Sequence, residues 1–115
     1  TGDIFMIVLK RVNATFIEKI IQPGATEEFF VVDLDRYEAF DWNIKTTMPS
    51  TGARGLTKVS SLYTGDIIES TKYAILGARF NTNVDISVSA GGDCVLAITN
   101  NEPSSVLCSA KLKTF

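Results

Sequence analysis

Acidic side chains are the groups in this sequence best able to do chemistry. Asp33 and Asp35 alternate, so an extended chain would point both carboxylates to one side, where they could bind a metal ion or a sugar. Asp41 lies between Phe40 and Trp42. A solvated turn explains Asp33 and Asp35 more simply, and a hydrolase would need two carboxylates to converge in a pocket, which spacing does not establish. From these residues we assign no catalytic residue, no metal site and no cofactor, and a small hydrolase that uses Asp33, Asp35 or Asp41 stays a third, less favoured alternative.

The sequence contains no histidine. This excludes His-assisted serine or cysteine nucleophiles from this chain alone, and it excludes histidine zinc sites. The 11 lysine and arginine residues are scattered and the formal net charge is −2, so long-range attraction for nucleic acid or anionic membranes is weak. We expect neither a nucleic-acid partner nor a membrane partner.

The two cysteines, Cys94 and Cys108, both lie in apolar, strand-like runs. If these runs form a hairpin around residues 100–103, the register decides whether the thiols share a face. A disulfide is conceivable only if they do. Two buried free thiols are the favoured interpretation, because cysteine behaves as a small hydrophobe and we expect no secretion signal.

Aromatic residues provide a second kind of candidate site. Tyr37, Asp41 and Trp42 could form a ligand surface, with rings that stack on a sugar and a carboxylate that accepts hydrogen bonds from its hydroxyls. Tyr63 and Tyr73 could add stacking surfaces. Core packing is a simpler explanation for Trp42. The surface would make the protein a receptor- or carbohydrate-binding module, which is the alternative function.

The elements that must position these residues are β-strands. Apolar and polar residues alternate along most of the chain, and residues 22–24 and 90–93 carry turn signals. In the predicted strand that includes Tyr37, Phe40 and Trp42 would share a core face while Tyr37 and Asp41 share the wetter face. Residues 48–55 are predicted to form a surface loop. The strand spacing predicts an all-β, jelly-roll-like antiparallel β-sandwich of about eight strands, as one domain over residues 1–115.

A run of apolar residues stands near the start of the sequence. It is too short to cross a bilayer, which needs about 20 residues, and it is typical of a strand buried on both faces. A small domain rarely buries both faces of such a strand by itself. We therefore predict that residues 1–12 can form an inter-subunit strand and that the run is a subunit interface: Ile4, Phe5, Met6, Ile7, Val8 and Leu9.

Five segments stand out, at residues 20–26, 36–44, 72–77, 84–87 and 93–100, and they include a Pro-Gly turn and a closing hairpin. Taken in order, they resemble a small all-β domain of tailed-bacteriophage structural proteins. Their order and spacing cover residues 8–114. The resemblance implies a β-sandwich that assembles into oligomers, often trimers, and it implies no enzymatic activity.

The resemblance also implies a place in the virion, after assembly in the host cytoplasm. Domains of this type occur in tail-fibre, neck, baseplate and head-associated proteins, including those on the capsid surface. The partners implied are copies of the same chain and other virion proteins. A host surface receptor or glycan is a further class of partner.

Overall fold

The computed structural model describes residues 16–115, and this part of the chain consists of eight β-strands without a helix. Accordingly, the described residues contain no helix of the length and apolarity needed to cross a membrane. The strands are β1 (Phe16–Ile21), β2 (Thr26–Asp33), β3 (Ala39–Met48), β4 (Ala53–Tyr63), β5 (Ile68–Gly77), β6 (Thr82–Val88), β7 (Asp93–Asn100) and β8 (Val106–Thr114).

The strands form two antiparallel sheets that pack face to face. The larger sheet has the order β1-β8-β3-β4-β5, and the smaller sheet has the order β2-β7-β6. The predicted antiparallel β-sandwich of eight strands is therefore confirmed. Because β1 and β8 are neighbours, the described chain begins and ends within one sheet.

Tight turns join the neighbouring antiparallel strands, and one of them is shorter than the sequence suggests. Met48 pairs with Ala53, so the turn between β3 and β4 consists of residues 49–52 only. The prediction of a surface loop over residues 48–55 was wrong in extent, because both ends of that segment continue the strands. The hairpin signal at residues 90–93 was correct: Val88 pairs with Cys94, and Gly92 adopts a φ of 81°.

The core lies between the two sheets, and strand β3 supplies its largest side chains. Phe40, Trp42 and Ile44 are buried, as the alternation predicts, because successive side chains point to opposite faces. Trp42 contacts Phe40 in its own sheet and Phe30 in the facing sheet, with ring centroids 5.6 and 5.8 Å apart. Aromatic contacts therefore join the two layers at the centre of the molecule.

The connection between β7 and β8 crosses from one sheet to the other, so the hairpin considered for the two cysteine-bearing strands is wrong. The side-chain amide of buried Asn100 holds this crossing: it donates to the carbonyls of Ile21 and Ser104, at 2.9 Å each. Its oxygen accepts from the backbone N–H of Glu102. Cys94 and Cys108 are free, buried thiols that extend from different sheets into the core, as the favoured interpretation predicts.

The predicted inter-subunit strand, residues 1–12, lies outside the described residues. The same holds for the interface residues within it, from Ile4 to Leu9. Their role in assembly remains a prediction.

Candidate functional site

Asp33 and Asp35 lie in the turn that follows β2. The backbone N–H of Asp35 donates to Asp33 Oδ1 at 2.9 Å, and the carbonyl of Asp33 accepts from Arg36 and Tyr37. An aspartate that bonds the backbone two residues ahead is a common turn former. Within residues 16–115, no three His, Cys, Asp or Glu side chains are grouped so that they could hold a metal ion. The arrangement supports a turn-forming role for Asp33.

Trp42 does not lie on a ligand surface, because its side chain is fully buried. Its indole Nε1–H donates to Ser61 Oγ at 2.9 Å, and Ser61 Oγ lies 2.8 Å from Ser70 Oγ. The assignment of Trp42 to a ligand surface is therefore corrected. Trp42 is a core residue, and its indole N–H has a hydrogen-bond acceptor within the protein. The simpler explanation, core packing, accounts for it.

Tyr37 and Asp41 do not share a strand face. Tyr37 precedes β3, in the connection from β2, and its half-buried ring packs against the core. Because Tyr37 lies outside the strand, the alternation that places Asp41 does not extend to it. Asp41 is therefore the one member of the predicted ligand surface that lies on the outer face of the larger sheet.

Two hydroxyl groups surround the Asp41 carboxylate on that face. Tyr73 Oη donates to Asp41 Oδ1 at 2.9 Å, and Ser60 Oγ donates to the same oxygen at 3.4 Å. Ser60 lies directly opposite Asp41 on β4. Tyr73 reaches it from β5 because the register shifts between Lys58 and Val59, which leaves Tyr73 without a partner on β4.

The Asp41–Tyr73 contact changes the acidity of the phenol. The hydrogen bond to Asp41 raises the pKa of Tyr73 above its ordinary value of 10.0, with smaller contributions from desolvation and the nearby negative charge. Tyr73 is 49% exposed, so its ring remains available to solvent. Sequence inspection identified Tyr73 as an aromatic candidate but could not connect it with Asp41, because that requires the register of three strands and the bulge.

Large apolar side chains lie exposed on the outer face of the larger sheet. Ile17 and Ile21 contact the core, so Phe16 and Ile20, which alternate with them on β1, point outward. Other exposed side chains of this face are on β4 and β5: Leu62, Tyr73 and Leu76. We call these five residues the outer apolar face. Phe16 and Ile20 lie at the β1 edge of this face, whereas Leu62, Tyr73 and Leu76 lie on the two strands at the other edge, and the strands between them carry charged and polar side chains on this face. Exposed large apolar side chains are candidate contact points for a partner.

The two sides of the sandwich differ in how well they are closed. On the β1–β2 side, Lys19 Nζ donates to the carbonyl of Glu28 at 2.6 Å and lies 3.7 Å from Glu27 Oε1. The same ammonium lies 5.8 Å from the ring centroid of buried Phe29. Lysine contacts and a buried ring thus cover this side of the core.

The β5–β6 side is open. Ser70 and Lys72 belong to the inner face of β5 but are exposed, and Val84 and Ile86 on β6 are only half-buried. Two cavities of about 200 and about 270 Å³ lie here, and Lys72 and Val84 line both. We call this opening the β5–β6 groove.

The comparisons with known proteins concern the fold. No family model matches the chain, and no curated protein matches its sequence. A solved structure, the crystal structure of the Acinetobacter phage vB_ApiP_P1 tailspike protein, is similar over 90% of this chain with a TM-score of 0.50 and 3% sequence identity. The chain spans 23% of the length of that tailspike chain. At this identity the likeness is one of fold: the all-β architecture has a counterpart within a phage tailspike.

The described residues offer two kinds of candidate binding surface. The outer apolar face and the β5–β6 groove can bury apolar surface against a partner. The Asp41–Tyr73 pair offers an exposed ring beside a hydrogen-bonded carboxylate, which suits a polyhydroxylated ligand.

Proposed function

We propose that the chain is a non-enzymatic structural component of a tailed-bacteriophage particle. In this proposal it assembles as a homo-oligomer and mediates attachment within the tail, neck, fibre or capsid surface. The observation that carries the proposal is the outer apolar face, and the fold shared with part of a phage tailspike supports the virion setting. Its partners are copies of itself and other virion proteins.

The physical argument for assembly is the cost of leaving this face in water. Each square ångström of apolar surface removed from water contributes about 25 cal/mol, so covering several half-exposed large side chains favours association. Leu76 alone is 59% exposed. Interfaces of permanent homo-oligomers are more apolar than ordinary protein surface, and the exposed large side chains of this face could supply the apolar part of such a contact.

Light scattering coupled to size-exclusion chromatography tests this proposal. We expect the unmodified chain to elute as an oligomer and Leu76→Asp to shift it toward the monomer, because the new carboxylate would have to be desolvated in the interface. The matched control is Ser87→Asp, which adds the same charge on the exposed outer face of the smaller sheet. A chain that stays monomeric at all concentrations, or equal effects of both substitutions, would contradict the proposal.

The Asp41–Tyr73 pair favours a second candidate function, a receptor- or carbohydrate-binding module. An exposed ring can stack on a sugar, while the carboxylate accepts hydrogen bonds from sugar hydroxyls. An array of bacterial surface oligosaccharides is a suitable probe. This function predicts binding that Tyr73→Ala abolishes and that Leu62→Ala, on the same face, leaves intact; an array without binding would exclude the oligosaccharides it carries.

A further inference from the structure

We infer that the β5–β6 groove receives residues 4–9 of a second copy of the chain, added as a strand beside β5. This inference rests on the proposed function, in which the chain forms a homo-oligomer. The groove would be the surface that accepts the apolar run at residues 4–9, which the sequence analysis predicts to be a subunit interface.

The edge of the larger sheet at the groove offers backbone groups for such pairing. β5 is the last strand of its sheet and pairs with β4 alone among the described strands. The outward N–H and C=O groups of an edge strand are a template for another strand. Addition of an extended segment to a sheet edge is a recurring mode of recognition, in which the main chain supplies hydrogen bonds and pockets accept alternate side chains.

The groove can accept the side chains of an apolar strand. The apolar part of its lining is Val59, Ile75, Val84 and Ile86, and polar and charged side chains, Lys72 among them, line the rest of the two cavities. At one end, Phe80 lies close to Gly55 and limits the opening. A strand rises about 3.3 Å per residue, so the six residues 4–9 would span about 20 Å, close to the length of the seven-residue β6 beside them.

Both faces of the incoming segment would be used. Alternate side chains would enter the groove, while the others would lie on the opposite side of the larger sheet. That side carries Tyr73 and Leu76, so the second row would extend the outer apolar face by one strand. This accounts for a run of six apolar residues without the alternation that a strand with one solvated face requires.

Charges at the two ends of β5 set the direction of the incoming strand. Asp66 and Glu69 lie at its start and Arg79 follows its end; all three are exposed, and none forms an ion pair with another described residue. The apolar run is preceded by Asp3 and followed by Lys10. Antiparallel pairing with β5 brings Asp3 toward Arg79 and Lys10 toward Glu69, whereas parallel pairing brings like charges together.

The reach of the chain requires that the segment come from another copy. Phe16 is on β1, which forms the edge of the larger sheet opposite to β5. The cross-strand pairs place Phe16 in the same row as Lys58 of β4. A strand added beyond β5 would lie five strand spacings, about 24 Å, from β1. In that strand Lys10 would lie near Glu69, which is about 13 Å from the row of Phe16 and Lys58, measured along the strands. The separation is about 27 Å, and the six residue-to-residue steps from Lys10 to Phe16 span at most about 22 Å when fully extended.

Cross-linking between two distinguishable chains tests the inference. One full-length chain carries Ile7→Cys, the other carries Lys72→Cys and an affinity tag, and both are produced together and treated with a short bis-maleimide. Cys94 and Cys108 are fully buried, so they do not compete in the folded protein. The matched control replaces Lys72→Cys with Glu28→Cys, an exposed position on β2 at the closed side.

We expect a tagged–untagged product with Lys72→Cys and a several-fold lower yield with Glu28→Cys. Glu69→Lys in the acceptor should lower the yield, and Lys10→Glu in the donor should restore it. An oligomer by light scattering that gives no product, or equal yields at both positions, overturns the groove assignment and leaves the proposed assembly standing. A chain that is monomeric by light scattering overturns both.

Discussion

At the scale of single residues, burial separates structural side chains from candidate binding ones. Trp42 and Asp41 are adjacent in sequence, yet Trp42 is fully buried and bonded to Ser61, while Asp41 faces outward and accepts from Tyr73. Strand alternation predicts that one of these side chains is buried and the other faces outward. It does not predict which polar groups meet them, because Ser61 and Tyr73 come from other strands.

The indole bond in the core gives a stability prediction. Ser61→Ala removes the acceptor of Trp42 Nε1 and should lower the free energy of unfolding by about 1–3 kcal/mol, because a buried donor is left without a partner. Urea denaturation followed by Trp42 fluorescence measures this. Ser60→Ala, the exposed neighbour, is the control and should change stability by less than about 0.5 kcal/mol. Equal losses in the two variants would contradict the structural role of the bond.

The outer-face pair gives a titration prediction. Asp41→Ala removes the acceptor and the charge that raise the pKa of Tyr73, so that pKa should fall toward 10.0. Because the folded-state pKa is raised, the contact stabilises the fold below pH 10 and this contribution is lost as the pH rises through the raised value. Ultraviolet absorbance titration measures the change, and Tyr73→Phe identifies the transition. An unchanged titration in Asp41→Ala would show that the contact is absent in solution.

At the scale of elements, the sequence predicts strands better than it predicts their partners. Alternation and turn signals place most strands, because a half-buried strand must repeat with period two. The division into sheets depends on contacts far apart in sequence, so the crossing at Asn100 and the bulge that releases Tyr73 leave no local signal. For the same reason Asp41 could be predicted as exposed, but its two hydroxyl partners could not.

Close approach of backbone at one end of the β5–β6 groove gives a prediction at this scale. A Cβ atom on Gly55 would collide with the carbonyl oxygen of Ala78, which belongs to the β5–β6 connection. Gly55→Ala should therefore lower the free energy of unfolding by about 1–3 kcal/mol, since overpacking forces the backbone to shift. Thermal and urea denaturation measure the effect. Gly91→Ala is the control, because its Cβ would meet only ordinary contacts; a comparable loss there would contradict the steric explanation.

At the scale of the whole molecule, the sandwich is asymmetric: closed where β1 meets β2 and open between β5 and β6. The described fold has an extent of 45 × 31 × 21 Å, and it leaves apolar surface both on a sheet face and at a sheet edge. Both surfaces are of the kind that a subunit contact removes from water.

Assembly gives the prediction at this scale. Ile7→Asp or Val8→Asp should disrupt the oligomer more than the folding of the monomer, because a carboxylate in the added strand would be buried without a partner. The concentration at which the oligomer forms should rise roughly tenfold or more, measured by light scattering. Asn13→Asp adds the same charge outside the apolar run and should leave assembly unchanged. An unaltered oligomer in both variants would remove the run from the interface.

The place of β8 in the larger sheet has a consequence for biosynthesis. β8 is the last strand in the chain, yet it lies between β1 and β3 and joins them. Until residues 106–114 have left the ribosome, β1 has no partner among the described strands of its sheet and β3 lacks its partner on the β8 side. Sheets that depend on such distant contacts have high contact order and fold in about milliseconds to seconds. A nascent chain would therefore hold two aggregation-prone edges until β8 is synthesised.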